Sequence, residues 1–359
     1  MHSDKARLKP TLKYAGAFVA WVIGSGFATG QEILQFFSSY GLWSYAALLI
    51  NLICFIIVGS VLLVKGYDRK NDAHADHFAF FCGQKAGKVY TVIIQVTLVL
   101  LISVLISAAG ATLNQYFGLN KQIGSALMAV AVLAAYLIGF EKMVRIVSSI
   151  GPVIIVFSVF VGAFTVIRDR GAFSELGQNA VLLSSSQTSP HWLISSFLYI
   201  SLNFLCGSTY YTQLGRTAQR RSEAKAGAII GSVFLVLTIF LMNTAILLNA
   251  ENSAELSVPT LYFAQKISYI FGAVFSVILV LGTFSSCSTM MWSFCSRIFA
   301  DNKKKNTVTA VAVTAAAYVI GIFPFSGLVA VIYPAIGYLG LFFIACVIIK
   351  GIKIQKKTA

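Results

Sequence analysis

Glu32 is the one acidic residue placed inside a long apolar run; the other eleven Asp and Glu residues fall in loops or at run ends. If that run crosses a membrane, a carboxylate at its centre costs on the order of 3 kcal/mol on insertion scales. Such a residue faces a cavity or a partner, as a gate, a proton acceptor or the partner of an amine. Alternatively it lies near the mouth of its span, hydrated and merely terminal. Just before it runs Gly24-Ser25-Gly26-Phe27-Ala28-Thr29-Gly30, three glycines in seven residues. A second small, polar stretch is Asn203-Phe204-Leu205-Cys206-Gly207-Ser208-Thr209, and a third is Ser285-Ser286-Cys287-Ser288-Thr289. Exposed backbone at membrane depth is tolerated where it lines a cavity or a buried site. Small residues also let helices pack closely, and hydroxyls bond between helices. Both readings stay open from the residues alone.

Other chemistry has little to stand on. The run Asp72-Ala73-His74-Ala75-Asp76-His77 has metal-binding residue types, but no second ligand cluster accompanies it, so it reads as a solvated turn. There is no P-loop, H-E-x-x-H or G-x-S-x-G, and the glycines of the first run lack a βαβ context. No enzyme and no resident cofactor are expected. The cysteines Cys54, Cys82, Cys206, Cys287, Cys295 and Cys346 are scattered through apolar runs, as buried thiols rather than a disulfide framework.

The elements that must carry these residues follow from composition. The chain has 359 residues, 58% of them apolar and 11% charged, with a mean hydropathy of +0.82. Soluble proteins average roughly 45–50% apolar and about 25% charged. The expected fold is a single all-α polytopic membrane domain over 1–359, its partner the lipid bilayer. Spans read near 13–37, 42–65, 89–115, 122–140, 143–167, 192–214, 226–249, 262–297, 306–324 and 327–349. Each is long enough for ~30 Å of hydrocarbon at 1.5 Å per residue. The eighth is over-long, so its first turns are expected to form a separate loop helix.

Charge orients the spans. Of the 27 basic residues, 23 fall at the N-terminus, in alternate loops and in the tail, all on one side. The other side has only Lys121, Arg168, Arg170 and Lys266. The positive-inside rule places both termini in the cytoplasm of an inner-membrane protein. The net charge of +15 thereby orients helices and implies no nucleic-acid partner.

A repeat is legible in the break points rather than in residue identity. Gly26 and Gly207 lie 181 residues apart; Pro152 and Pro334, like Ser103 and Ser285, lie 182 apart. Five spans per half force the second copy to be inverted, giving repeats over 13–167 and 192–349. Paired interrupted helices point to a solute site at the repeat interface. The break in span one would present N–H groups near Ser25 and Gly26 to an anionic group. Ser201, Asn203 and Phe204 on span six, with Ser103 and Ser107 on span three, would shape the pocket opposite.

These features resemble the LeuT fold of the amino acid–polyamine–organocation superfamily, five plus five inverted helices with helices one and six broken. Within it the chain is similar to YkvI-like bacterial membrane proteins, from Tyr14 to Ile349. The motifs that carry the resemblance are Val22-Ile23-Gly24-Ser25-Gly26 and Gly282-Thr283-Phe284-Ser285-Ser286. It implies a secondary transporter of a small amino-acid-like solute, sodium-coupled and working by alternating access. A ligand-sensing receptor subunit on the same fold is the alternative it allows. It also implies a sodium ion held by the carbonyls of Ala20, Ile23 and Gly282 and the hydroxyls of Ser285 and Ser286. Neutral oxygens suit a hard cation; ordinary interhelical hydrogen bonding is the other reading of the serines. The family's second sodium site uses an asparagine where this chain has Trp21 or Phe27, so a second ion is not implied.

Overall fold

The computed structural model describes residues 7–23, 25–69, 77–138, 150–298 and 303–358. Apolar runs without strand alternation fold as helices, and among the described residues there is no strand. In order they are α1 (Leu8–Val22), α2 (Ser25–Ala28), α3 (Gln31–Phe36), α4 (Trp43–Asp68), α5 (His77–Cys82), α6 (Gln84–Phe117), α7 (Lys121–Ile138) and α8 (Ile150–Arg168). There follow α9 (Leu176–Leu182), α10 (Trp192–Arg216), α11 (Arg221–Leu248), α12 (Ala250–Glu255), α13 (Pro259–Ile267), α14 (Tyr269–Ile298), α15 (Lys303–Gly321) and α16 (Phe325–Thr358).

Seven of these are long and apolar enough to cross a membrane, namely α4, α6, α7, α10, α11, α14 and α16. They occupy spans two, three, four, six, seven, eight and ten. An eighth arises when α8 and its continuation, bent by 81°, count as one span. The 19-residue helix α15 occupies span nine. Residues 139–149, with Lys142 and Arg145, lie outside the described residues, as do Gly24, Asp72, His74 and Asp76. The over-long eighth run divides as expected: Ser268 is extended, with φ −162° and ψ 157°, and separates α13 from α14.

Span one is broken twice. The helix α1 stops at Ile23, whose ψ of 62° leaves the helical region. A second interruption falls at Gly30, where φ is +82° and glycine alone is unstrained. Thr260 at the start of α13 fills the notch: its hydroxyl donates to the Ala28 carbonyl at 2.5 Å and its N–H to the Thr29 carbonyl at 3.3 Å.

Span six corrects the expectation. α10 runs as one helix from Trp192 to Arg216, with no break at Asn203–Thr209. The small polar residues satisfy themselves on their own helix: Asn203 donates to the Tyr199 carbonyl, Ser208 to that of Leu205 and Thr212 to that of Ser208. Its glycines serve packing instead. A Cβ on Gly207 would meet the Trp21 indole, and one on Gly215 would run into the backbone of Leu63.

Two helix groups result. α4 packs on α10 and α11, with α1 against α11; α6 packs on α7, α14 and α15. Buried apolar residues fall in two clusters, a large one around Phe18, Phe55, Tyr199 and Phe204 that also takes in Leu101 and Val104 of α6 and Phe275 and Leu279 of α14, and a smaller one around Ile102, Ile106, Met291 and Cys295. The outer faces are apolar too, with Leu49, Ile53, Val130, Leu237 and Val331 exposed, as a lipid-facing surface requires. Among the described residues the ion pairs lie at the ends. Arg7 pairs with Glu223 at 2.6 Å and Arg221 with Asp68 at 3.2 Å at one end. Arg168, Asp169 and Asn249 gather at the other.

Candidate functional site

Where span one is broken, the helices around it leave a cavity of about 80 Å3. Its walls are Trp21, Val22, Gly26, Phe27 and Glu32 from span one, Leu101 and Leu105 from α6, and Leu202, Asn203 and Cys206 from α10. Ser286 and Met290 of α14 and Tyr333 of α16 complete it. The residues from α6, α10 and α14 come from the middle of long helices, so the cavity sits at their mid-depth and between the two groups. A cavity of this size holds a few waters or one small solute, since one water needs about 10–15 Å3 by this measure.

The break explains why Glu32 can be there. Glu32 lies in the first turn of α3, and its backbone follows the left-handed Gly30. The residue is only 7% exposed. Its carboxylate reaches back over α2, where a Cβ on Gly26 would collide with it, and the Tyr333 hydroxyl would stand 2.9 Å from that same Cβ. The Tyr333 hydroxyl and the carboxylate therefore face the same small space. Glycine at position 26 is thus the space in which an acid and a phenol meet.

Trp21 closes the other side of the break, stacked on Tyr210 at 5.0 Å between ring centroids. The Tyr210 hydroxyl donates to the Ala17 carbonyl at 2.9 Å and fixes that stack to α1. Asn203 spends one of its two amide N–H donors on the Tyr199 carbonyl, and its Oδ1 remains an acceptor. Among the described residues, no Lys, Arg or His lines the cavity.

The residues expected to bind solute therefore separate. Gly26, Asn203 and Glu32 meet at the cavity. Ser25 begins α2, beside it. Ser103 bonds to the Val99 carbonyl of its own helix, and its backbone lies against Gly321. Ser107 donates to the Phe323 carbonyl at 2.9 Å, tying α6 to the loop before α16. Ser201 backs onto Gly340 of α16. Phe204 is fully buried among Phe18, Phe55 and Tyr211. None of these four is among the residues that line the cavity, and the Ser201 hydroxyl is buried without a hydrogen-bond partner.

Of the expected ion ligands, Ser286 lines the cavity, whereas Ser285 does not. Ile23 caps α1, so the last carbonyls of that helix, Ala20 among them, are at a helix end, where they lack ordinary helical donors. Gly282 lies one turn before Ser286 on α14, which packs against α2. His77, of the metal-like run, instead docks on α10, its Nε2 3.1 Å from the Ser208 hydroxyl and 3.2 Å from that of Thr209.

No family model matches the chain. It is 26% identical over 345 residues to YkvI, a membrane protein of Bacillus subtilis (strain 168), with 94% of each chain covered. It is 21% identical over 351 residues to the Bacillus subtilis protein YyaD, covering 95% of this chain and 97% of that one. Among solved structures it is similar to MhsT in complex with L-phenylalanine, with a TM-score of 0.60 at 14% identity, over 95% of this chain and 88% of that one. The chain is a polytopic helical membrane protein with the LeuT fold, similar along nearly its whole length to YkvI.

Proposed function

We propose that the chain is a secondary transporter of a small amino-acid-like solute, sodium-coupled and working by alternating access. The observation that carries this reading is the cavity at mid-depth, built where span one is broken and lined by helices of both packing groups. A solute held there touches both groups, so relative movement of the groups would expose it to one face and then the other. The amino-acid-like class draws on the structurally similar MhsT, which was captured with L-phenylalanine.

Sodium coupling draws on the end of α1 and on Ser286, which stand at one cavity, with Ala20, Ile23, Gly282 and Ser285 as further ligands. Both termini are assigned to the cytoplasm of an inner membrane, from the basic loops. The two inverted repeats, 13–167 and 192–349, belong to the same reading.

The test is uptake by the purified chain in proteoliposomes. A labelled solute found by thermal stabilisation should accumulate when sodium is higher outside, and should not when the gradient is absent. Binding without accumulation would instead make the chain a ligand sensor on this fold.

A further inference from the structure

The cavity's chemistry is lopsided. Among the described residues its single charged wall residue is Glu32, and the Asn203 Oδ1 adds an acceptor. No side-chain cation of the described residues faces it, and α2, with four residues, is too short to offer a helix dipole to a carboxylate. A zwitterionic amino acid would find a charged partner for its ammonium but only neutral side-chain donors, such as the Ser286 hydroxyl and the Trp21 indole N–H, for its carboxylate. Most of the remaining wall is apolar: Val22, Phe27, Leu101, Leu105, Leu202 and Met290.

A buried carboxylate left without a positive partner is costly, and one paired with a hydrogen-bonding cation is far less so. The Tyr333 hydroxyl shares the space over Gly26 with the carboxylate, and a phenol donates one hydrogen, so acceptor capacity is left for a second donor. An ammonium supplies three N–H donors and a positive charge, and an aromatic face such as Trp21 or Phe27 adds cation–π attraction.

We infer that the cavity selects a small organic cation, a primary amine on a short apolar body, with Glu32 as its counter-ion and Tyr333 holding that carboxylate in place. The inference rests on reading this cavity as the solute site, and it narrows the solute class: the amine is recognised, and a carboxylate on the same carbon is unnecessary.

The experiment uses the full chain in detergent, at neutral pH. Thermal stabilisation is compared for isobutylamine, isoamylamine and 2-phenylethylamine against L-valine, L-leucine, L-phenylalanine and 3-methylbutanoate. The amines should stabilise the protein, at least one of them binding tenfold tighter than the amino acid with the same apolar body. 3-Methylbutanoate should give no shift. Glu32→Gln should weaken amine binding on the order of 100-fold or more, as losing one partner of a buried charge pair does. Glu32→Asp keeps the charge and should retain measurable binding, which separates lost recognition from lost folding.

Tighter binding of the amino acids than of the amines would overturn the inference while leaving the transporter reading intact. So would stabilisation by sodium alone that disappears in Glu32→Gln, which would make the carboxylate an ion ligand. No shift with any compound would also overturn it. Amine binding that depends on Glu32 without uptake into proteoliposomes would support the inference and defeat the transporter.

Discussion

Thr260 grips the second interruption of span one, its hydroxyl donating to Ala28 and its amide to Thr29, two consecutive carbonyls that the chain leaves open before Gly30. One residue of a loop helix thus completes the backbone of another span. Thr260→Val keeps the shape and removes the hydroxyl donor, leaving the Ala28 carbonyl buried and short of a partner. The expected cost is about 1–3 kcal/mol. Hydrogen exchange across 25–36 should rise in the variant while exchange in α4 and α10 stays unchanged; equal protection would remove Thr260 from this role.

Ser286 stands on the cavity wall and Ser285 beside it in sequence, so the pair tests the proposed ion. Replacing both with alanine should weaken the apparent sodium affinity about tenfold or more, equivalent to about 1.4 kcal/mol. Ligand affinity measured without sodium should change little. Identical sodium dependence in both proteins would eliminate the site.

Gly66 of α4 lies on the backbone of α10, with the Gly215 Cα 3.1 Å from where its Cβ would be and the Thr212 carbonyl closer still. Gly66→Val should destabilise by roughly 1–3 kcal/mol or more, because neither backbone can yield. Gly16, with nothing near its Cβ position, is the control: Gly16→Ala should leave the melting temperature unchanged or raised.

Asp169, in the turn after α8, accepts two hydrogen bonds from Arg168 at 2.7 Å and one from Asn249 at 2.8 Å. The Arg168 guanidinium, bonded directly to it, holds this carboxyl below the ordinary aspartate range, with Asn249 and the Lys266 charge acting the same way. A depressed carboxyl stabilises the fold above its unfolded value, and that contribution fades as the pH falls through the folded value. Wild type should therefore lose stability over Asp169→Asn's own decline on acidification below about pH 4, by about 1 kcal/mol or less for a part-exposed pair. Parallel pH profiles would show the cluster to be inert.

A reporter fused after Ala359 should read cytoplasmic if the basic loops orient the helices. A periplasmic reading would overturn the assigned orientation and the count of spans behind it.

Hydropathy made the spans legible because lipid exposure demands apolar outer faces, and the excess length of the eighth run pointed to the division of α13 from α14. The break in span one was legible because three glycines in seven residues weaken a helix. Span six misled: Asn203, Ser208 and Thr212 look like a break in composition, yet each bonds back to its own helix. Glu32, Gly26, Asn203 and Ser286 could be picked from residue type. Ser107 and Phe204 could not be excluded, since which way a side chain points around α6 or α10 depends on neighbours remote in sequence. Tyr333 carried a faint signal, one residue before the mid-helix Pro334; Trp21 and Met290 carried none.

The close seam between α4 and α10 has a mechanical consequence. Leu63 and Thr212 carbonyls occupy the volumes that side chains at 215 and 66 would need, so the two helices mesh like teeth at that point. Sliding one past the other by a residue would bring Lys65 or Tyr67, Leu214 or Arg216 into the same gap, where none fits. The pair behaves as one lever with no play in it. Span one, by contrast, is jointed at Ile23 and again at Gly30, so the torsions at those two joints are where this part of the fold can give.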